Sequence, residues 1–391
     1  MPTKSRTEQL LNAYINGDDI SNFVPLSRNE QILKDMILGN EQTLSPQSRI
    51  ESLYQKLDEK IKKGSGGGDN PLQYLIDNQG GDGIPACQYL LYYYKGTSLD
   101  DVMNNINTSK VTVMKGMFGY CSNLTTIPQF NTSSCTDMSF LFNECTSLKN
   151  IPLLDTSKVT NMEYMFYNCK ILTTIPQLDT SSVTRMYQMF YYCSSLKTIP
   201  LLDTSKVTNM YQMFYQCSKL TTIPQFNTSS CTDMGGIFQY CKALTTIPQL
   251  DTSKVIWMSN MFTYCSKLTT ITQLDMNSAT SVDYIFHYCY KLSYLKLLNV
   301  KVNLQIGSGT SWGHLIEKDC LIQIISELIK PSSGTKTLTM GTANIAKLAD
   351  TYVKLLEDDG TGKYPFEVCK STDEGAMTIT DYCTAKNWTL A

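Results

Sequence analysis

Eight cysteines follow one another at a fixed interval of 24 residues: Cys121, Cys145, Cys169, Cys193, Cys217, Cys241, Cys265 and Cys289. Cysteine offers three kinds of chemistry. A disulfide framework needs Cα atoms within about 7 Å and matched Cβ directions, and parallel side chains from successive repeats suit that geometry poorly. A zinc site draws its ligands from spaced pairs such as Cys-x-x-Cys, and the sequence contains none. A cysteine nucleophile needs an imidazole within hydrogen-bond reach, yet the chain has only two histidines, His287 and His314. His287 lies two positions before Cys289, so the pair does not share a helix face, and His314 is near Cys320 in a loop-to-helix passage. Cys135 and Cys231 occupy the place held elsewhere by Val159, Val183, Val207 and Val255. Cysteine here therefore substitutes for a small apolar side chain, as a buried free thiol does. The ladder is expected to pack a core. No catalytic residue, metal ligand or cofactor is assigned, and neither a Gly-x-Gly-x-x-Gly following a strand nor a P-loop occurs.

Asp or Asn opens every repeat, at Asn107, Asn131, Asp155, Asp179, Asp203, Asn227, Asp251 and Asp275. Calcium takes six to eight oxygen ligands, and one carboxylate per repeat, often amidated, supplies too few. Asp and Ser side chains in "DTSK" instead suit a turn, where they bond nearby backbone amides. The paired threonines, such as Thr221 and Thr222, suit a half-exposed strand.

These residues must be positioned by a repeating element, and the period from Asn107 to Leu298 is unbroken. In residues 203–226, Met210, Met213, Phe214 and Cys217 fall at i, i+3, i+4, i+7 and predict a short helix with Thr208 as N-cap. Leu220, Ile223 and Phe226 face inward from an extended segment that Pro224 keeps from forming a long strand. A fixed period in this range predicts a solenoid of strand, turn and short helix, an α/β architecture. The block "QFNTSSCTDM" occurs at 129–138 and again at 225–234, four units later.

With the methionine face turned inward, Tyr211, Gln212, Tyr215 and Gln216 should point outward, as should Tyr120, Tyr164, Tyr167, Tyr187, Tyr191, Tyr192, Tyr240, Tyr264, Tyr284 and Tyr288. Tyrosine offers apolar contact plus a hydroxyl at low entropy cost. Tyr164, Tyr167, Tyr187, Tyr191, Tyr192, Tyr211, Tyr215, Tyr240, Tyr264 and Tyr288 are the candidate binding residues; the alternative is a cover of rings stacked on one another, or a chain–chain contact.

Outside the array, residues 1–63 predict short helices. Ser27 with Glu30 forms a capping box, and Ser45-Pro46 opens a second helix. Such helices bury too little alone and are expected to dock on a partner or self-associate. Residues 64–70, "GSGGGDN", form a flexible linker. Residues 71–106 read as a degenerate capping repeat, 107–298 as eight units, and 299–391 as an α/β cap, with "EKDCLIQIISELIK" and "NIAKLADTYVKLLED" helical and "KTLTM" and "WTL" strand-like. A net charge of −2 carries no basic face for nucleic acid, and no run of 18 apolar residues predicts a membrane span. The first residues lack the apolar core of a signal peptide, so the expectation is reduced thiols made in a cytosol.

The unit "LDTSKVTNMxxMFxxCxxLTTIP" resembles the BspA-like leucine-rich repeats of bacterial surface proteins. The resemblance implies a curved solenoid for adhesion or partner binding, with no catalytic residues. "LSRNEQIL" and "PQSRIESL" before the glycine linker resemble anchoring segments of phage virion proteins from Gram-positive hosts, and "KTLTMGTANIAKL" with "TAKNWTLA" is similar to C-terminal caps in that setting. That resemblance implies a virion protein, oligomeric, held by residues 1–63 and displaying the array to a host surface protein or glycan; the alternative is a cellular adhesin at a bacterial surface.

Overall fold

A computed structural model of the chain describes residues 106–306 and most of 316–391, with scattered positions between 73 and 103. The chain divides into two compact units, 1–75 and 76–391. Of the first, only Gln73 is described, so the expected helices of 1–63 and the linker at 64–70 lie outside the described residues.

Residues 107–298 form stacked 24-residue coils in parallel register. Isolated bridges link Val113 to Asp137, Asp137 to Asn161, Asn161 to Arg185, and so on to Trp257 and Ser281. Ala86 bridges to Val113 and the Leu91 N–H donates to the Met117 carbonyl, so the segment before Asn107 contributes the preceding coil. It carries a one-turn helix α1, Asp100–Met103.

The segment expected to be a short helix takes another form. In 210–217, the N–H groups of Met210, Gln212, Phe214 and Gln216 donate to carbonyls of the next coil, at 2.7–2.9 Å. Those of Met213, Tyr215 and Cys217 close turns onto the residue three positions back. An α-helix directs every N–H to its own i−4 carbonyl; here every second one is spent on the neighbouring coil. The switch is made by two left-handed residues per coil, such as Gln188 and Tyr192 (φ 50° and 61°) or Gln212 and Gln216 (φ 51° and 59°). Thr208 caps nothing; its carbonyl accepts from the Thr232 N–H of the next coil. The inward set is nonetheless the one read from the spacing, since Met210, Met213, Phe214 and Cys217 are all fully buried.

The extended side of each coil shows how one residue type governs strand formation. Proline at 128, 152, 176, 200, 224 and 248 leaves the backbone without a donor, and regular strand is absent there. Where Thr272 replaces it, strand β1 (Thr270–Asp275) forms and pairs in parallel with β2 (Tyr294–Leu298) across a bulge.

The core is a set of columns. Phe118, Phe142, Phe166, Phe190, Phe214, Phe238, Phe262 and Phe286 stack face to face with centroids 5.4–6.1 Å apart. Beside them run the methionines, the cysteines and Leu124 through Leu292.

Residues from 299 onward leave the period. β3 (Leu304–Gln305), β4 (Lys336–Thr339) and β8 (Trp388–Leu390) form a parallel sheet in the order β3-β4-β8. α2 (Lys318–Ser326) lies against β2, where the Gln323 amide donates to the Leu297 carbonyl at 2.7 Å. The expected second helix stops early. α3 spans Thr342–Leu348, and Tyr352–Leu355 is a strand, β5, pairing antiparallel with β6 (Phe366–Cys369) and β7 (Met377–Thr378). In "TYVKL", β-branched and aromatic residues follow α3 directly, and pairing with β6 overrides the helical spacing. α4 (Ile379–Ala385) then leads to β8, whose Trp388 indole donates to the Ile329 carbonyl at 2.9 Å.

Candidate functional site

The left-handed turns that replace the short helix also aim the tyrosines. Tyr164, Tyr192, Tyr240, Tyr264 and Tyr288 themselves occupy left-handed positions. One period brings each ring beside its counterpart in the next coil. Tyr167, Tyr191 and Tyr215 form one stack, with centroids 4.8 and 4.5 Å apart and planes within 8°. Tyr187 and Tyr211 form a second, at 5.4 Å, with Tyr164 tilted by 58° against Tyr187 at 5.0 Å. Tyr240, Tyr264 and Tyr288 form a third, at 4.6 and 4.3 Å.

The stacks join. Tyr164 contacts Tyr167 at 5.7 Å, Tyr192 leans on both Tyr191 and Tyr215, and Tyr215 meets Tyr240 edge-on at 5.5 Å. All ten candidate tyrosines thus belong to one aromatic wall. Phe140 extends it at one end, 4.5 Å from Tyr164; His287 and Tyr290 extend it at the other, around Tyr288. The sequence reading passed over Phe140 and Tyr290, although Phe140 stands one period before Tyr164.

The wall is less exposed than expected. Tyr164 and Tyr187 are buried, at 8% and 5% exposure, and Gln212 lies beneath the surface at 8%. The other eight candidates are half-buried. Rings stacked at these distances cover one another's faces, so edges and hydroxyls remain for solvent. Burial pushes the phenols of Tyr167, Tyr187, Tyr191 and Tyr215 well above the ordinary tyrosine range, and the wall is uncharged at neutral pH. Such a surface offers apolar ring edges with hydroxyl donors and acceptors, which suits hydrogen-bonding ligands with apolar faces.

The cysteine ladder does different work. From Cys145 onward each ladder thiol donates to the carbonyl of a phenylalanine in the preceding coil, as in Cys145 to Phe118, Cys193 to Phe166, Cys217 to Phe190 and Cys289 to Phe262, at 3.0–3.1 Å, while Cys121 donates to the Leu91 carbonyl at 3.0 Å. All fourteen cysteines are free, and all but Cys369 are buried. Burial raises the thiol pKa of Cys135 to about 12 and lifts that of Cys217 well above the ordinary cysteine range, away from the thiolate form. His287 is stacked on Tyr288 at 3.9 Å while the Cys289 thiol is engaged with Phe262, so these two are not brought together as a nucleophile and base. His314 lies outside the described residues.

The Asp and Asn residues cap turns. Asp155 Oδ1 accepts from the Ser157 N–H at 3.1 Å and from its hydroxyl at 2.7 Å; Asp179 and Asp251 repeat the arrangement, as do Asn131 and Asn227. Among the described residues, no group of three or more His, Cys, Asp or Glu side chains converges to hold a metal ion. No helix among them is long and apolar enough to cross a membrane.

The family described as "Mycoplasma protein of unknown function, DUF285" matches residues 89–201 and 194–295, more than half of the sequence. The chain belongs to this family. The two matched stretches cover the stacked coils and every candidate tyrosine. Solved structures similar to this DUF285 chain include a leucine-rich repeat protein of T. pallidum, TpLRR, at 19% identity over 55% of this chain and 85% of that one, with a TM-score of 0.31. A leucine-rich repeat protein from Bacteroides ovatus shares 16% identity over 59% and 76%, with a TM-score of 0.31. One from Eubacterium ventriosum shares 18% over 61% and 84%, with a TM-score of 0.23. No curated protein matches the DUF285 chain.

Proposed function

We propose that this chain is a non-enzymatic recognition protein, a leucine-rich-repeat solenoid of the BspA-like type that binds a host-surface protein or glycan through its aromatic wall. The observation that carries this reading is the continuity of the wall from Phe140 to Tyr290. A core needs only the inward residues of each coil; a run of tyrosines half-buried on the outer side is a surface with its own chemistry. The mechanism is additive, with each coil supplying weak contacts that multiple copies sum into a stable attachment.

The setting we propose is a phage virion, with residues 1–63 assembling into the particle as an oligomer and the glycine-rich stretch freeing the array to reach outward. A second reading, a cellular adhesin or protein-interaction module, is favoured by the family's description as a Mycoplasma protein. Binding of the purified full-length protein to candidate host cells tests recognition, comparing the natural chain with a Tyr167→Ser, Tyr191→Ser, Tyr215→Ser variant. Loss of cell binding with a retained fold supports the reading, whereas undiminished binding makes the wall a packing cover. Locating the protein by electron cryo-microscopy in purified particles, or at the bacterial surface, separates the two settings.

A further inference from the structure

One column on the coil surface abandons its structural task at two places. It runs through Asp137, Asn161, Arg185, Asn209, Asp233 and Trp257, each bridged to the next. Four of the six cap their own turn. Asp137 Oδ1 accepts the Ser139 N–H at 2.8 Å, Asn161 the Glu163 N–H at 3.1 Å, Asn209 the Tyr211 N–H at 2.8 Å and Asp233 the Gly235 N–H at 3.0 Å. A guanidinium or an indole N–H donates only and cannot accept such a bond. Arg185 and Trp257 therefore give up a cap that the repeat otherwise supplies.

The coil of Trp257 gives up a second bond beside the first. Thr136, Thr160, Thr184 and Thr232 each donate a hydroxyl to the backbone carbonyl one coil earlier, at 3.1–3.3 Å, and Ile256 stands in their place. Neither exchange serves the core, since Trp257 is 37% exposed and the Arg185 side chain 62% exposed. Arg185 is the only arginine in residues 50–391. Trp, Tyr and Arg are the residues enriched among those that carry binding energy at interfaces.

Glu163 fixes what Arg185 presents. Its Oε1 accepts the Arg185 Nε–H at 3.0 Å, and among the described residues this is the guanidinium's one hydrogen bond. Both Nη groups are left as donors, beside Glu163 Oε2 as an acceptor. A planar donor fork next to a carboxylate oxygen matches vicinal hydroxyls, which accept from one and donate to the other. The pair is neutral overall, and the Asp233 carboxylate further along is buried and held by Gly235 and Asn209, so the strip selects neither sign of ligand charge. Trp257 lies three coil spacings from Arg185, about 14 Å, and adds an exposed apolar indole. The Tyr187–Tyr211 stack runs alongside, two residues past Arg185 and Asn209.

We propose that Arg185, Glu163 and Trp257 form a specificity-determining strip of the recognition surface, and that its ligand is a linear neutral glycan. The inference rests on the recognition reading above and narrows it. The diol of one sugar sits on the Arg185–Glu163 pair, and a ring further along the same glycan packs its apolar face on Trp257.

The test measures binding of fluorescent hexasaccharides to the full chain by anisotropy. The neutral probes are cellohexaose and chitohexaose; the charged ones are hexagalacturonate and hexaglucosamine. At least one neutral probe should bind, more tightly than either charged one. Arg185→Asn and Trp257→Asn install the repeat's own capping residue, so each should retain the fold yet weaken that binding about tenfold or more. Arg185→Lys should weaken it as much, because an ammonium has no fork. Asp203→Ala removes the cap on the Ser205 N–H at the turn edge; it should lower the unfolding midpoint and leave the affinity unchanged. No binding of either neutral probe, tighter binding of a charged one, or full affinity in both Asn variants overturns the proposal. Host-cell attachment separates that failure from failure of the recognition reading: attachment by the natural chain that the tyrosine variant loses leaves the reading standing, and attachment by neither removes both. Attachment undiminished after enzymatic removal of surface glycans assigns the strip to a protein partner and overturns the proposal as well.

Discussion

The Cys217 thiol donates to the carbonyl oxygen of Phe190, in the preceding coil, at 3.1 Å, with both residues fully buried. Phe190 O also accepts the Cys193 N–H. The thiol therefore joins two coils at a point where backbone bonds within one coil already converge. That ties cysteine to this position more closely than packing volume alone.

Replacing Cys217 by Ala removes the sulfur, its contacts and this bond. The expected cost is about 2 kcal/mol. Cys369→Ala, at a half-exposed site on β6, should stay within about 0.5 kcal/mol. Chemical unfolding with unchanged m-value checks both.

Thiol reactivity should follow burial. With an aromatic disulfide reagent at pH 7.5, the native protein should release one equivalent, from Cys369, while the unfolded chain yields all fourteen. Rapid modification of several thiols without denaturant would contradict the ladder.

Tyr191 is stacked on both faces, by Tyr167 and Tyr215. Tyr191→Ala should destabilise by about 2 kcal/mol, less than a fully buried aromatic because the ring is half-buried. Tyr191→Phe should cost under about 1 kcal/mol. Thermal unfolding of the pair separates stacking from hydroxyl.

Gln216 holds φ at 59°, a left-handed conformation that L side chains adopt at a cost and glycine adopts freely. Gly116 and Gly236 show that glycine is accepted at the other left-handed position of the coil, the one Gln212 holds here. Gln216→Gly is expected to stabilise the protein by about 1 kcal/mol, read as a raised midpoint in denaturant.

The turn carboxylates make stability depend on acid. Hydrogen bonds from Ser157, Ser181, Ser205 and Ser253 hold the carboxyls of Asp155, Asp179, Asp203 and Asp251 below the usual aspartate range. A depressed folded value contributes stability that is present above the unfolded aspartate pKa, about 3.9, and lost as pH falls through the folded one. Tm should therefore drop on going from pH 5 to pH 2.5. The drop should be smaller in the variant with Asn at all four positions.

Much was legible because a period states the same physical demand eight times. The 24-residue repeat, the buried Met210–Met213–Phe214–Cys217 set, the cysteine ladder as core and the Asp turns follow from apolar spacing and from the Cys-for-Val exchanges. Local reading failed where backbone bonding is decided between coils. The i, i+3, i+4, i+7 spacing of Met210 to Cys217 suits a helix, but donors at alternate positions are claimed by the next coil, and left-handed Gln212 and Gln216 redirect the chain. The same holds for Tyr352–Leu355, where pairing with β6 displaced a helical pattern. The sequence alone determined which side chains enter the core, since burial depends on hydropathy repeated in register. Only the tertiary structure decided the stacking of Tyr167, Tyr191 and Tyr215 and the burial of Tyr164 and Tyr187, because those depend on how closely neighbouring coils approach.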